Sequence, residues 1–367
     1  MALRTLSGKH ADARRGRGAG INPEGRFEAV LREAFDDGWG RMADEELRAL
    51  KTLVTDESAK SIIAHNDSPD IPFTQSINPY QGCEHGCIYC YARPSHAYRN
   101  LSPGVDFETR IFAKVNAPAL LRRELSRPGY RCELIALGAN TDPYQPAERE
   151  RRITRGILEV CAEFNQPVGI VTKNALIERD IDILAPMAKR RLAEVFVSVT
   201  TLDHELAWRM EPRCTAPARR LQAVKTLSAA GIPVGVMVAP VIPFLNDHEI
   251  EAIVAAAADS GAERSAYILM RLPFEVKTLF RDWLLRHYPL KAEHVMSRVQ
   301  AMRGGRDNDP DFGSRMRGEG EFARLLQQRF QLACGKAGLN RGRRGESGYC
   351  DTTQFRVPGA AVQGQLF

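Results

Sequence analysis

Cys83-Glu84-His85-Gly86-Cys87-Ile88-Tyr89-Cys90 sets three thiols in one short loop at CxxxCxxC spacing. Three thiolates can hold three corners of a [4Fe–4S] cube, whose usual ligation takes four Cys. The iron left without a protein ligand is then free to bind a substrate or cofactor. Gly82 and Gly86 give the loop the backbone freedom to wrap a compact group. Asn78-Pro79 marks a turn ahead of it, and Tyr89 offers a flat face beside the third thiol.

CxxxC, then an aromatic residue, then C is the signature of radical S-adenosylmethionine (SAM) enzymes, and this loop resembles that superfamily. The resemblance implies a [4Fe–4S] cluster on Cys83, Cys87 and Cys90, with the methionyl amine and carboxylate of SAM on the fourth iron. It further implies reductive cleavage of the sulfonium to a 5′-deoxyadenosyl radical that abstracts hydrogen from a substrate. A reductant such as flavodoxin or ferredoxin is implied as partner. Three readings compete. A Cys3His zinc site would use His85 or His96, but no second CxxC accompanies the first. An electron-transfer cluster wants a fourth Cys nearby, and the next is Cys132, in a stretch expected to be a strand. A disulfide framework would need denser cysteine than eight in 367 residues.

The chain is 44% hydrophobic, enough for a sizeable core, and its length suits about two domains or one barrel with extensions. No apolar run approaches the roughly 20 residues of a membrane span, and no secretory h-region opens the sequence. Sparse cysteine and an oxygen-sensitive cluster both point to a reducing cytoplasm. Residues 1–26 carry six basic residues against two acidic ones, with Gly16, Gly18, Gly20 and Gly25 among them. This stretch reads as a flexible basic arm, a candidate contact for nucleic acid or simply a solvated tail.

Short apolar runs recur at Phe73–Ile77, Leu134–Leu137, Val168–Val171, Val195–Val199, Val234–Val238 and Tyr267–Met270. Runs without alternation suit strands buried on both faces. Helical stripes fill the gaps: Ile153, Ile157, Val160, Cys161 and Phe164; Ile177, Ile181 and Leu184; Leu221, Val224 and Leu227 between Pro217 and Gly231; Ile250, Ile253, Val254 and Ala257 behind an Asp247 N-cap. Six β/α repeats predict an α/β fold, a partial (β/α)6 TIM-like barrel over residues 73–275 with its site at the C-terminal strand ends. Residues 27–72 are expected to be a helical segment and loop, and residues 276–367 a helical extension with an irregular tail.

On that face, Asn140, Thr141 and Asp142 could accept from the SAM ammonium, and Asp142 could equally make an Asx turn. Lys173 could pair with the SAM carboxylate, and Ser198 and Thr200 point the same way along their strand. Together with Tyr89 and Tyr91 these strand ends resemble the spore photoproduct lyase branch of the superfamily. That resemblance implies SAM contacts for Tyr89, Thr141, Asp142, Lys173 and Ser198, and chemistry on a UV-damaged thymine pair. The lyases carry a hydrogen-returning Cys where this chain has Asn140. Tyr91 and Cys214 are the candidates to replace it. The sequence leaves radical modification of a protein or metabolite, or a non-catalytic iron–sulfur or zinc module, as alternatives.

Overall fold

The computed structural model describes residues 16–27, 50–341 and 350–359. Its centre is an open sheet of six parallel strands: β3 (Gln75–Ile77), β6 (Ile135–Leu137), β7 (Val168–Thr172), β8 (Ala193–Ser198), β9 (Val234–Val241) and β10 (Arg264–Leu269). They neighbour one another in that order, and β2 (Ala64–His65) closes the β3 edge antiparallel. All six apolar runs named from sequence are strands, and the partial (β/α)6 barrel is the observed architecture.

The reason is burial on both faces. Every residue of β3 and β6 is buried, as are the Val side chains of β8 and the first three residues of β9. Crossover helices cover the outer face. Helix Ile153–Phe164 buries Ile153, Ile157, Leu158, Val160, Cys161 and Phe164, the stripe its sequence spaces at helical intervals. Helix Pro217–Ala229 begins with proline in its first turn and ends before Gly231, which takes φ +76. Helices Val276–His287, Ala292–Ala301 and Gly320–Ala337 form the C-terminal extension, and the last packs on helix Ile250–Asp259. Among the described residues no helix is long and apolar enough to cross a membrane.

Four expectations change. The segment ahead of the barrel is not purely helical: Leu53–Glu57 is a strand, β1, while residues 28–49 lie outside the described residues. β1 pairs with β5 (Arg110–Lys114), which also pairs with β4 (Tyr80–Gln81), making a second, three-stranded sheet. Residues 16–26 are not a free arm but pack on the barrel, as described below; residues 1–15 lie outside the described residues. Asp247 does not cap its helix with its side chain. It opens a 3-10 turn, Asp247–Glu249, whose last residue precedes the helix. Cys132 lies before β6 rather than in it.

The second sheet matters because β4 runs straight into Gly82-Cys83 and so delivers the Cys loop to the barrel mouth. The end of β6 depends on one glycine. Gly138 has φ +93, and a Cβ there would lie 2.2 Å from the Val171 carbonyl oxygen of the adjacent strand. Gly138→Ala is therefore expected to cost about 1–3 kcal/mol or more, from αL strain plus the backbone clash. Urea unfolding of the metal-free protein reads this as a lowered midpoint; an unchanged midpoint would refute the constraint.

Candidate cluster and cofactor site

The Cys loop is shaped by two glycines and one buried arginine. Gly82 (φ +80) and Gly86 (φ +67) take left-handed conformations; a Cβ on Gly86 would meet a Glu108 carboxylate oxygen at 2.7 Å. Arg93 is fully buried three residues beyond the last thiol. Its Nε donates to the Cys87 carbonyl (2.9 Å) and its Nη2 to that of Gly86 (3.0 Å). Nη1 donates to the carbonyls of Pro103 and Gly104. The charge is answered by Glu108, whose carboxylate lies 2.5 Å from Nη2 and also accepts from the amides of Gly18 (2.9 Å) and Ala19 (2.8 Å). The N-terminal strap thus lies on the loop. Arg17 extends the contact, donating to the Glu108 carbonyl and to Thr52.

All eight cysteines are free thiols. Cys83 and Cys87 are buried and Cys90 half-buried. Of the two imidazoles that could have completed a zinc site, His85 is engaged at both ring nitrogens and His96 at Nε2. His96 sits 3.0 Å from the Arg110 carbonyl, edge-on to Phe107, and burial lowers its pKa to about 4. His85 lies 3.3 Å from Asp142 and 3.1 Å from the Asn174 amide. Burial opposes its charge, but Asp142 and Cys83 outweigh that and raise its pKa. Among the described residues no three His, Cys, Asp or Glu groups converge as around a single ion. A loop that wraps, three free thiols and committed imidazoles fit a [4Fe–4S] cube held by Cys83, Cys87 and Cys90. Cys132 and Cys161 lie elsewhere, the first against Gln166 and the second in the core; Cys334 is in the C-terminal helix and Cys350 near Val168.

Asp142 does not offer a free carboxylate. Oδ1 accepts from the Tyr144 amide (2.9 Å) and the Thr172 hydroxyl (2.7 Å); Oδ2 accepts from the Lys173 amide (2.8 Å) and faces His85. Burial works to raise its pKa, but His85 and these bonds hold it at about 2. It is an Asx turn and a brace between loop and sheet. Thr141 is buried and donates to the Tyr80 carbonyl (2.8 Å). The backbone amides of Asn140 and Thr141 both donate to Asn78. The Asn140 amide group and the Ser198 hydroxyl have no hydrogen-bond partner among the described residues.

A second buried hub stands opposite. Glu211 accepts from Tyr89, from Thr200 (2.6 Å) and from the buried guanidinium of Arg220. Arg220 also donates to the carbonyls of Ser198 (3.1 Å) and Thr215 (2.6 Å). The Lys173 ammonium lies 5.9 Å from the Tyr89 ring centroid. Burial opposes its charge, but Cys87, Glu211 and Cys214 outweigh burial and raise its pKa. Cys214 is 3.7 Å from Cys87, and that hydrogen bond brings Cys87 down to about 7 despite burial. Tyr91, 49% exposed, donates to the Ala139 carbonyl.

The structure therefore brings Cys83, Cys87, Cys90, Tyr89, Lys173 and Cys214 to one mouth and commits Thr141 and Asp142 to the scaffold. Sequence reading missed Arg93, Glu108, Asn78, Glu211 and Arg220. Asn78 lay in the Asn78-Pro79 turn, Arg220 on the helix read between Pro217 and Gly231, and Glu211 three residues before Cys214, while Arg93 and Glu108 lay in no stretch singled out. Breaking the Arg93–Glu108 pair from one side is expected to be worse than removing it whole. Arg93→Met should destabilise the metal-free chain by about 3–5 kcal/mol, and Arg93→Met with Glu108→Met by less. Equal or greater loss in the double variant, measured by urea unfolding, would contradict that assignment.

The sequence model of the radical SAM superfamily matches residues 77–257. Uncharacterised proteins of Mycobacterium tuberculosis and Mycobacterium bovis are 38% identical over 221 residues, covering 60% of this chain and 65% of theirs. The chain thus spans just under two thirds of the length of those relatives. An uncharacterised protein of Methanocaldococcus jannaschii is 26% identical over 227 residues, 62% of this chain and 81% of that one. Among solved structures, spore photoproduct lyase complexed with dinucleoside spore photoproduct superposes with TM-score 0.57 at 14% identity, covering 78% of this chain and 80% of that one. A mutant of that lyase with bound AdoMet and the same dinucleoside gives TM-score 0.55 at 15% identity over the same shares. Residues 77–257, which hold the three-Cys loop and five of the six parallel barrel strands within or across their bounds, are a radical SAM domain on the fold that spore photoproduct lyase also adopts.

Proposed function

We propose that this chain is a radical SAM enzyme acting on a nucleic-acid substrate, in the manner of a DNA-lesion lyase. Cys83, Cys87 and Cys90 would hold the [4Fe–4S] cluster, and Lys173, Ser198, Asn140 and the Tyr89 ring would hold SAM. When bound, these groups supply reductive cleavage of SAM to a 5′-deoxyadenosyl radical that takes hydrogen from the substrate. The observation that carries the reading is the division of polar groups at the mouth. Thr141, Asp142 and Glu211 are committed to scaffold bonds, while Lys173, beside the free thiols, has no ion pair among the described residues. A half-buried charge left open in this way is a binding group.

The protein's own part is placement. Arg93 and Glu108 fix the loop that presents the thiols, His85 and Asp142 tie it to the end of β6, and Glu211 fixes Tyr89. The electron would come from a reductant such as flavodoxin or ferredoxin, and eight free thiols fit a reducing cytoplasm. Asn140 cannot return a hydrogen atom as a thiol does. Tyr91, half exposed in the mouth, is the better placed replacement, because the Cys214 thiol is turned to Cys87. The same departure favours a second reading, radical modification of a protein or small metabolite, in which no hydrogen returns.

Anaerobic reconstitution is expected to give about four irons per chain, and reduced protein with SAM is expected to release 5′-deoxyadenosine. Cys87→Ala should abolish both. Zinc without iron, or 5′-deoxyadenosine unchanged by Cys87→Ala, would sink the proposal. Nucleic-acid contact by residues 1–15 is tested separately, by single-stranded DNA binding over a salt series. Removing those residues should flatten the slope of log affinity against log salt, and an unaltered slope excludes them. The cut stops at residue 15 because Gly18 and Ala19 hold Glu108.

A further inference from the structure

The mouth contains a second cation that the SAM reading does not use. Arg271 follows β10 by two residues, on the same strand-end face as Lys173 after β7. Among the described residues it forms no ion pair. Its Nη1 reaches only the Met316 thioether at 3.5 Å, a weak acceptor, and its Nε is buried with no partner. The neighbouring guanidinium shows the contrast. Arg315 is clamped by both oxygens of Asp70, with Nε 2.6 Å from Oδ2 and Nη2 2.5 Å from Oδ1. Asp309, the other nearby acid, accepts from the Asp311 amide and faces Arg306. Burial and the Arg315 charge lower the pKa of Arg271; Tyr91, Asp70 and Asp309 act the other way but do not outweigh them.

This strained charge is held rigidly. Arg303 donates to the Met270 carbonyl (2.7 Å), the Met270 amide donates to Val241, and the Leu272 amide donates to Asn308 (3.2 Å). The Arg271 guanidinium carbon lies 5.8 Å from the centroid of the half-exposed Tyr91 ring. A guanidinium lacking a counterion, fixed beside an open aromatic face, matches a nucleotide: phosphate on the fork, base or sugar on the ring.

We infer that Arg271, with Tyr91, forms an anion subsite that anchors a backbone phosphate of the substrate, three strands along the sheet from Lys173. This rests on the radical SAM reading above and names the group by which its substrate is recognised. Two cations then divide the mouth, Lys173 serving the cofactor and Arg271 the substrate.

The test uses the full-length, cluster-reconstituted protein with SAM, and thymidylyl-thymidine as probe. Its uncharged methylphosphonate analogue, inorganic phosphate and an acidic tetrapeptide are the other arms. Wild type is expected to bind the dinucleotide at least about tenfold more tightly than Arg271→Met does, with Arg271→Lys between them. The methylphosphonate should show no dependence on residue 271. Arg271→Met should also melt higher than wild type when ligand-free, because an uncompensated charge has gone; a merely structural arginine would lower the melting temperature. Equal dinucleotide binding by wild type and Arg271→Met would overturn the subsite, as would equal methylphosphonate and phosphodiester affinity. Dependence on Arg271 for the tetrapeptide alone would move the site to a protein substrate and overturn the nucleotide assignment. Iron content and 5′-deoxyadenosine release by wild type report on the parent reading independently, so the two failures are distinguishable.

Discussion

A guanidinium with no water around it underlies this site. Arg93 donates to four backbone carbonyls, two of them inside the Cys loop, and only Glu108 balances its charge. A loop that must wrap a compact group turns its carbonyls outward, and buried carbonyls need donors. Five N–H groups on one rigid plane supply them without a helix or strand. The same carboxylate draws in the amides of Gly18 and Ala19, so the N-terminal strap is ordered by the electrostatics of the cluster loop. Gly18 is confined there: a Cβ on it would fall 1.9 Å from the Gly86 carbonyl oxygen.

The pattern repeats around the mouth. Asp142 joins loop to strand ends through His85, Thr172 and two backbone amides, and Glu211 joins Tyr89 to Thr200 and Arg220. Each is a buried carboxylate with its acceptor sites filled. Groups so engaged give rigidity and lose availability. On the proposed reading function falls to what is left open: three thiols, the Lys173 ammonium, the Ser198 hydroxyl, the Asn140 amide and the Arg271 guanidinium. Preorganisation of the kind a reactive site needs comes from the filled groups.

The sheet was legible because burial on both faces leaves a signature that composition alone carries. Val168–Val171 and Val234–Val238 can only be strands once short connections flank them, and the triad's spacing is a local code. What escaped was long-range or two-residue. β4 has two residues and β2 two, too short for any periodicity. β1 reads Leu-Val-Thr-Asp-Glu, exposed along much of its length, and is a strand only because β5 lies beside it. Arg93 and Glu108 are separated by a loop, and nothing in either neighbourhood says that they meet. Asp142 was read correctly as to place and left open as to use; the Asx turn decides it, since its oxygens are already filled.

Asn140 and Arg271 together change what the mouth can recognise. In a lyase-like site a thiol preceding the Thr-Asp pair would return hydrogen; here that place holds a neutral amide without a partner, which can donate and accept but not transfer a hydrogen atom. Recognition has therefore gained a group where chemistry has lost one. In the same mouth an open guanidinium stands next to an open tyrosine ring. On the proposed reading Lys173 and Asn140 serve the cofactor, which leaves the Arg271 guanidinium, without an ion pair among the described residues, to face the substrate. A wholly apolar substrate would leave Arg271 buried and unanswered, a configuration more costly than replacing it with a hydrophobic residue. On the proposed reading the mouth is therefore built for a charged guest, and the sign of that charge is negative.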